Sequence, residues 1–216
     1  MALPFTVEQF FGVFRAYNTA IWPAQVAAYS LAAFVVVLML RRSAVGDRIV
    51  AAVLAGFWLW TGIAYHTVYF SRINKAAYAF GALFVIEGLL LLVFGTVRPR
   101  GSFRFRVGIW SLIGAALVLY AAVIYPLLGV LFGHLLVEIP WLGVTPCPTT
   151  IFTLGVFLSA VGRRLAVLAI PLLWSVVGGN AAVLLQVPQD YGLIAAGILG
   201  LLHLLMRARP TARDTI

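Results

Sequence analysis

Seven apolar runs, each near the length of a membrane-crossing helix, occupy positions 22–40, 49–69, 76–97, 107–128, 148–161, 165–186 and 191–206. About 20 predominantly apolar residues carry a helix across the hydrocarbon core of a bilayer. The spacing therefore predicts an all-α polytopic membrane bundle of about seven transmembrane helices. The fifth run is short, and fits a tilted or partly buried span or half of a re-entrant hairpin. Composition agrees: 63% of residues are hydrophobic, 10% are charged, and mean hydropathy is +1.07, whereas soluble domains are roughly 45–50% apolar and about 25% charged.

The formal charge of +9 raises the question of nucleic acid, and the placement of the basic residues answers it. They sit in short clusters between apolar runs, as loops at a lipid surface do, and form no basic groove. With seven crossings, one face of the membrane receives Arg41, Arg42, Arg48, Arg98, Arg100, Arg104, Arg106, Arg163, Arg164, Arg207, Arg209 and Arg213, and the other only Arg15, Arg72 and Lys75. Cytoplasmic loops are enriched in Lys and Arg, so this asymmetry orients the chain with its N-terminus outside and its C-terminus in the cytoplasm. Removing the fifth crossing spoils the pattern. Trp22, Tyr65, Tyr69, Tyr78, Tyr125, Trp141 and Tyr191 fall at the outer ends of the runs, where an aromatic belt belongs.

Three regions follow: an amphipathic interfacial helix over 1–21, a membrane domain over 22–206 and a cytoplasmic tail over 207–216. Thr6 stands three residues before Gln9, and Phe5 and Phe10 flank them, which spells a capping box with a hydrophobic staple. At about 100° per residue Val7, Phe10, Phe14, Tyr17 and Ile21 share one face and Glu8, Gly12, Arg15 and Thr19 the other, the pattern of a helix lying on the membrane or over the bundle mouth. The first residues lack a basic stretch, a long apolar stretch and a small-residue cleavage site, so no cleaved leader is expected. Gly81, Gly88 and Gly95 recur every seven residues, and Ser175/Gly179 and Gly178/Ala182 every four. Such spacings mark close helix packing.

Glu87 falls near the middle of the third run. A charge there costs roughly 2.5–3.5 kcal/mol on insertion scales, so Glu87 should face the bundle interior, as a proton or cation site or as a neutral hydrogen-bonded acid. Pro146-Cys147-Pro148-Thr149-Thr150 enters the fifth run from outside. The prolines stiffen the approach and the threonines are able to cap helix N–H groups. Cys147 is the only cysteine, which excludes an intramolecular disulfide. With His66 and His134 at outer ends it offers ligand types for a soft metal, but no metal-site spacing is present. Asn180 follows Gly178-Gly179, with Gln186 and Asp190 near the mouth, and Glu138 or Asp190 are candidate partners for Arg72 and Lys75. Nucleotide-binding, zinc-hydrolase and serine-hydrolase motifs are absent, so no cofactor is expected and an enzyme is the least favoured class.

The segments LPFTVEQFFGVFRAYNTAIWPAQ, YHTVYFSRINKAAYAFGALF, PCPTTIFTLG and IPLLWSVVGGNAAVLLQVPQDYGL resemble an uncharacterised bacterial family of small multi-pass inner-membrane proteins, a domain of unknown function. The resemblance implies a bacterial cytoplasmic membrane and brings no activity with it. The reading from sequence is a small-solute or ion permease, or a channel-like module. Asn18, His66, Arg72, Asn74, Cys147, Thr149 and Asn180 would surround an outer polar vestibule, with Glu87 beneath it. The alternative is a noncatalytic membrane subunit or assembly factor that docks a periplasmic partner or a second copy of the chain.

Overall fold

The computed structural model describes residues 4–41, 43–97, 102–161 and 167–208. Helix α1 (Val7–Ala20) starts where the sequence places its cap: the Thr6 hydroxyl accepts from the Gln9 N–H at 3.2 Å, and Gln9 Oε1 accepts from the Thr6 N–H at 2.9 Å. Phe5 stacks on Phe10 with ring centroids 6.0 Å apart, closing the staple. The chain then turns, and α2 (Ala24–Leu40) runs at 85° to α1.

Helix α3 (Ala44–Trp60) is capped by Ser43, whose hydroxyl accepts from the Gly46 N–H at 3.2 Å. It widens into π-helical hydrogen bonding over Thr61–Tyr69 and tightens over Phe70–Arg72. Helix α4 (Ala77–Leu91) ends in a second π-helical stretch, Leu92–Val97. Helices α5 (Ile109–Leu119) and α6 (Tyr125–Leu131) are joined by a third, Tyr120–Ile124. Helices α7 (Pro146–Ser159), α8 (Ala169–Leu185) and α9 (Tyr191–Ala208) complete the fold.

Four stretches are long and apolar enough to cross a membrane: Ala44–Arg72, Ala77–Val97, Ile109–Leu131 and Pro188–Met206. The bent pair α1 and α2 makes a fifth if counted as one span. Each of the seven apolar runs holds a helix, yet α7 and α8, at 14 and 17 residues, fall short on length.

The shorter of these two lies at the centre. Helix α7 packs against α3, α5, α8 and α9, and every residue of it except Cys147 is buried. By helix rise it covers only about 21 Å, and its chain continues as β2 (Ala160–Val161). That strand pairs antiparallel with β1 (Ser102–Phe103), Phe103 opposite Ala160. Asp47 Oδ1 accepts from the Phe103 N–H at 2.6 Å and from the Ser102 hydroxyl at 3.2 Å, fastening this ladder to the start of α3.

The glycine spacings mark helix contacts. A Cβ on Gly88 would lie 2.6 Å from Leu59 Cγ, and one on Gly95 2.3 Å from Ala51 Cβ, so α4 lies directly on α3. Gly114 and Gly155 do the same for α5 and α7: a Cβ on Gly114 would stand 2.5 Å from the Gly155 carbonyl oxygen. The aromatic belt is only partly as expected. Trp22, Tyr78 and Tyr191 are exposed, but Tyr65 and Tyr125 are fully buried, because their rings and hydroxyls belong to the interior cluster described next.

Candidate functional site

Helix α1 lies over one end of the bundle, its apolar face turned inward. Val13, Phe14, Tyr17 and Asn18 are buried while Glu8, Arg15 and Thr19 are exposed. Three sets of polar contacts hold it there. The Tyr17 hydroxyl donates to the Val144 carbonyl at 2.7 Å and accepts from Trp60 Nε1 at 2.8 Å. The Asn18 amide donates to the carbonyls of Val137 and Ile139, both at 2.9 Å. Exposed Arg15 pairs with Glu138. The guanidinium, and after it the Leu135 N–H, hold the Glu138 carboxyl below the usual carboxylate range.

Beneath α1 is a cavity of about 190 Å³. Phe5, Phe10 and Phe14 form its roof, and Tyr65, His66 and Phe70 line it from the end of α3. Phe80 of α4, Trp174, Gly178 and Asn180 of α8, Pro146 and Cys147 of α7, and Asp190 complete the wall. His66 is fully buried, and neither ring nitrogen has a hydrogen-bond partner. Its neighbours are rings: Phe84 at 4.7 Å, Tyr65 and Trp174 at 5.1 Å, and Phe80 at 5.9 Å between centroids. Burying polar atoms without partners costs roughly 1–3 kcal/mol in protein mutational data, so such a histidine is a vacancy in the polar accounting of the interior. π-Helical turns occur disproportionately at functional sites, and His66 sits on one.

Asp190 supplies the one carboxylate of the wall. It is buried, accepts from the Tyr125 hydroxyl, and shares the cavity wall with Cys147. Trp174 Nε1 is buried and has no hydrogen-bond partner. Cys147, half-buried, presents its remaining surface to the cavity.

A model for a family of unknown function, DUF6064, matches residues 7–215. The chain belongs to this family. No curated protein and no solved structure matches it. The matched span takes in every helix that builds the cavity.

Of the vestibule residues expected from sequence, this DUF6064 member brings His66, Asn74, Cys147 and Asn180 to one cavity. Asn74 and Asn180 spend part of their amides locally, Asn74 Oδ1 accepting from the Ala76 N–H and Asn180 donating to the Val176 carbonyl. Three others lie elsewhere. Asn18 is spent on the 137–139 carbonyls, and the Thr149 hydroxyl accepts from the Gly143 N–H at 2.9 Å, fixing the loop before α7 and capping no helix end. Thr150 donates back to the Pro146 carbonyl. Arg72 donates to the Val68 carbonyl and lies over the Tyr69 ring, 4.7 Å from its centroid. Glu138 pairs with Arg15, and neither Glu138 nor Asp190 takes Arg72 or Lys75 as a partner.

The metal ligand set does not assemble. His134 stacks on Phe11 at 4.2 Å, and among the described residues no three His, Cys, Asp or Glu side chains converge on a point. Glu87 faces inward as expected, fully buried with both oxygens unpartnered. It does not line the cavity. It lies one turn of α4 beyond Phe84, whose ring packs on His66, about 5 Å deeper by helix rise. The aromatic wall and the π-helical turn escaped the reading from sequence. Phe10 and Phe14 on the apolar face of α1 were the available signal for the first.

Proposed function

We propose that the protein is a small-solute permease of a bacterial cytoplasmic membrane, with its binding site in the cavity beneath α1. In this reading α2, α3, α4, the α5–α6 unit, α7, α8 and α9 make seven crossings, with α1 on the outer side. Helix α7 crosses although short because its surroundings are other helices and not lipid. The observation that carries the proposal is the cavity holding a fully buried histidine with both nitrogens free, since a solute is what would complete those hydrogen bonds. Glu87, buried and unpaired one turn deeper, is the group placed to couple solute movement to a proton or cation.

Reconstituted proteoliposomes test the proposal. A panel of amines, amino acids, sugars and inorganic ions should contain at least one solute that enters faster than into empty vesicles. Uptake should stop when a cysteine pair at 18 and 139, in a Cys147→Ser background, is oxidised to lock α1, and should return on reduction. Uptake of nothing in the panel, or uptake indifferent to the lock, would sink it. Reporter fusions near Asn74, Glu138 and Gln189 should read outside, and those after Arg42, Arg100, Arg164 and Arg209 cytoplasm. Opposite sidedness within either set removes the seven-crossing topology.

One observation favours the second reading, a docking subunit. Leu131, Phe132, Leu135 and Leu136 are exposed beside α1, as a partner-binding rim would be. Stoichiometric co-purification of a second protein, lost when Leu135 and Leu136 are changed to serine, would replace the permease reading with this one.

A further inference from the structure

We propose that the solute bound beneath α1 is a small organic ammonium ion, held by the Asp190 carboxylate and the surrounding aromatic rings. This rests on the cavity being a solute site, and narrows it to one chemical class. Charge is the first argument. Among the described residues no Lys or Arg lines the cavity, and Asp190 has no ion-pair partner. A buried carboxylate without a countercharge is costly, and is normally paired or neutralised. The Tyr125 hydroxyl gives it a hydrogen bond but no charge. An anion would meet that carboxylate with nothing basic opposite it.

The wall is the second argument. Tyr65, Phe70, Phe80 and Trp174, with Phe10 and Phe14 above, line the space with rings, and ring faces attract cations, most strongly where water is excluded. His66, whose ring nitrogens have no partner, offers a lone pair to an ammonium N–H. Size is the third argument. At about 190 Å³ the cavity is smaller than the roughly 300–1,000 Å³ of sites for drug-sized ligands, so the ammonium carries only a few carbon atoms.

The test compares tert-butylammonium, neutral tert-butanol and anionic trimethylacetate, which share a tert-butyl group and differ in charge. Each is titrated against full-length protein in maltoside detergent, following protection of Cys147 from N-ethylmaleimide and, independently, heat in a titration calorimeter. The tert-butylammonium ion should bind at least about tenfold more tightly than tert-butanol, a difference of about 1.4 kcal/mol, and trimethylacetate should not protect. Asp190→Asn should erase the preference while tert-butanol still binds, and Trp174→Leu should weaken the ammonium more than the alcohol. If Asp190→Asn does not fold, the wild-type ratio and Trp174→Leu decide. Equal binding of the alcohol, or binding of trimethylacetate, overturns the ammonium class and leaves a solute cavity standing. Failure of all three compounds to bind overturns the ammonium class as well, while the uptake panel separately judges the permease.

Discussion

Removing the Asn18 amide should loosen α1 without unfolding the bundle, and the single cysteine reports it. Asn18→Ala deletes two hydrogen bonds, to the Val137 and Ile139 carbonyls, and a longer one that Asn18 Oδ1 accepts from Gln25 Nε2 at 3.5 Å. The bond from Gln25 to the Asn18 carbonyl is a backbone contact and survives. At about 0.5–1.5 kcal/mol per bond, the loss of the first two is about 1–3 kcal/mol. If α1 lifts in a rapid equilibrium to admit reagent, that shifts the open fraction roughly 5- to 140-fold, at 1.4 kcal/mol per factor of ten. The assay is the rate of Cys147 alkylation by N-ethylmaleimide in native membranes, in the range where rate is proportional to reagent. Tyr17 and Arg15 still hold α1 in the variant, so the lid should loosen and not detach. Thr19→Ala, which removes only an exposed bond to the Arg15 carbonyl, should label at the wild-type rate. An unchanged rate in Asn18→Ala, or equal acceleration in Thr19→Ala, refutes the view of α1 as a lid over Cys147.

Gly114→Leu should separate α5 from α7, because even a Cβ would approach the Gly155 carbonyl to 2.5 Å. Overpacking costs about 1–3 kcal/mol, visible as a lower melting temperature in detergent, whereas Gly56→Ala, with nothing within 4 Å, should melt at or above wild type. The lowered carboxyl of Glu138 sets a pH dependence. A group more acidic when folded contributes stability that is complete above its unfolded pKa, near 4.3, and is lost as pH falls through the folded value. The contribution is small because Arg15 is exposed, with 59% of its side chain accessible. Melting curves of wild type and Glu138→Gln should therefore differ at neutral pH and converge on acidification; a gap that widens below pH 4 contradicts the pairing. Glu87→Gln should fold and melt like wild type, since it replaces an unpartnered buried carboxyl by a neutral isostere, while solute uptake loses its response to a pH gradient. A full response in that variant removes Glu87 from the mechanism.

The capped α1, the apolar helices and the glycine seam of α4 are legible in the sequence because each is local: a Thr6–Gln9 spacing, a run length, a seven-residue period. The candidate site is legible only in part. The sequence places His66, Asn74, Cys147 and Asn180 near the same end of their helices, and they meet in one cavity. It equally nominates Asn18, Arg72 and Thr149, since a polar side chain at a helix end looks the same whether it faces a cavity or a neighbouring carbonyl. Only tertiary structure makes that distinction, as with Asn18, whose acceptors lie 119 and 121 residues away.

Composition and periodicity by themselves determine that this chain is a bundle of apolar helices with one amphipathic helix before it, because burying apolar surface and satisfying the backbone leave little else. Three things were decided by packing. The short fifth run becomes the central helix because its neighbours, and not its own length, shield it. Tyr65 and Tyr125 go inward because a ring and hydroxyl at a helix end serve a belt or a buried cluster equally well, and neighbours choose. Asp190, close to the bundle mouth by sequence, is buried in the same cavity wall as Cys147 and beneath the phenylalanines of α1, with no cation partner among the described residues, because contacts across more than a hundred residues set which polar groups share a cavity.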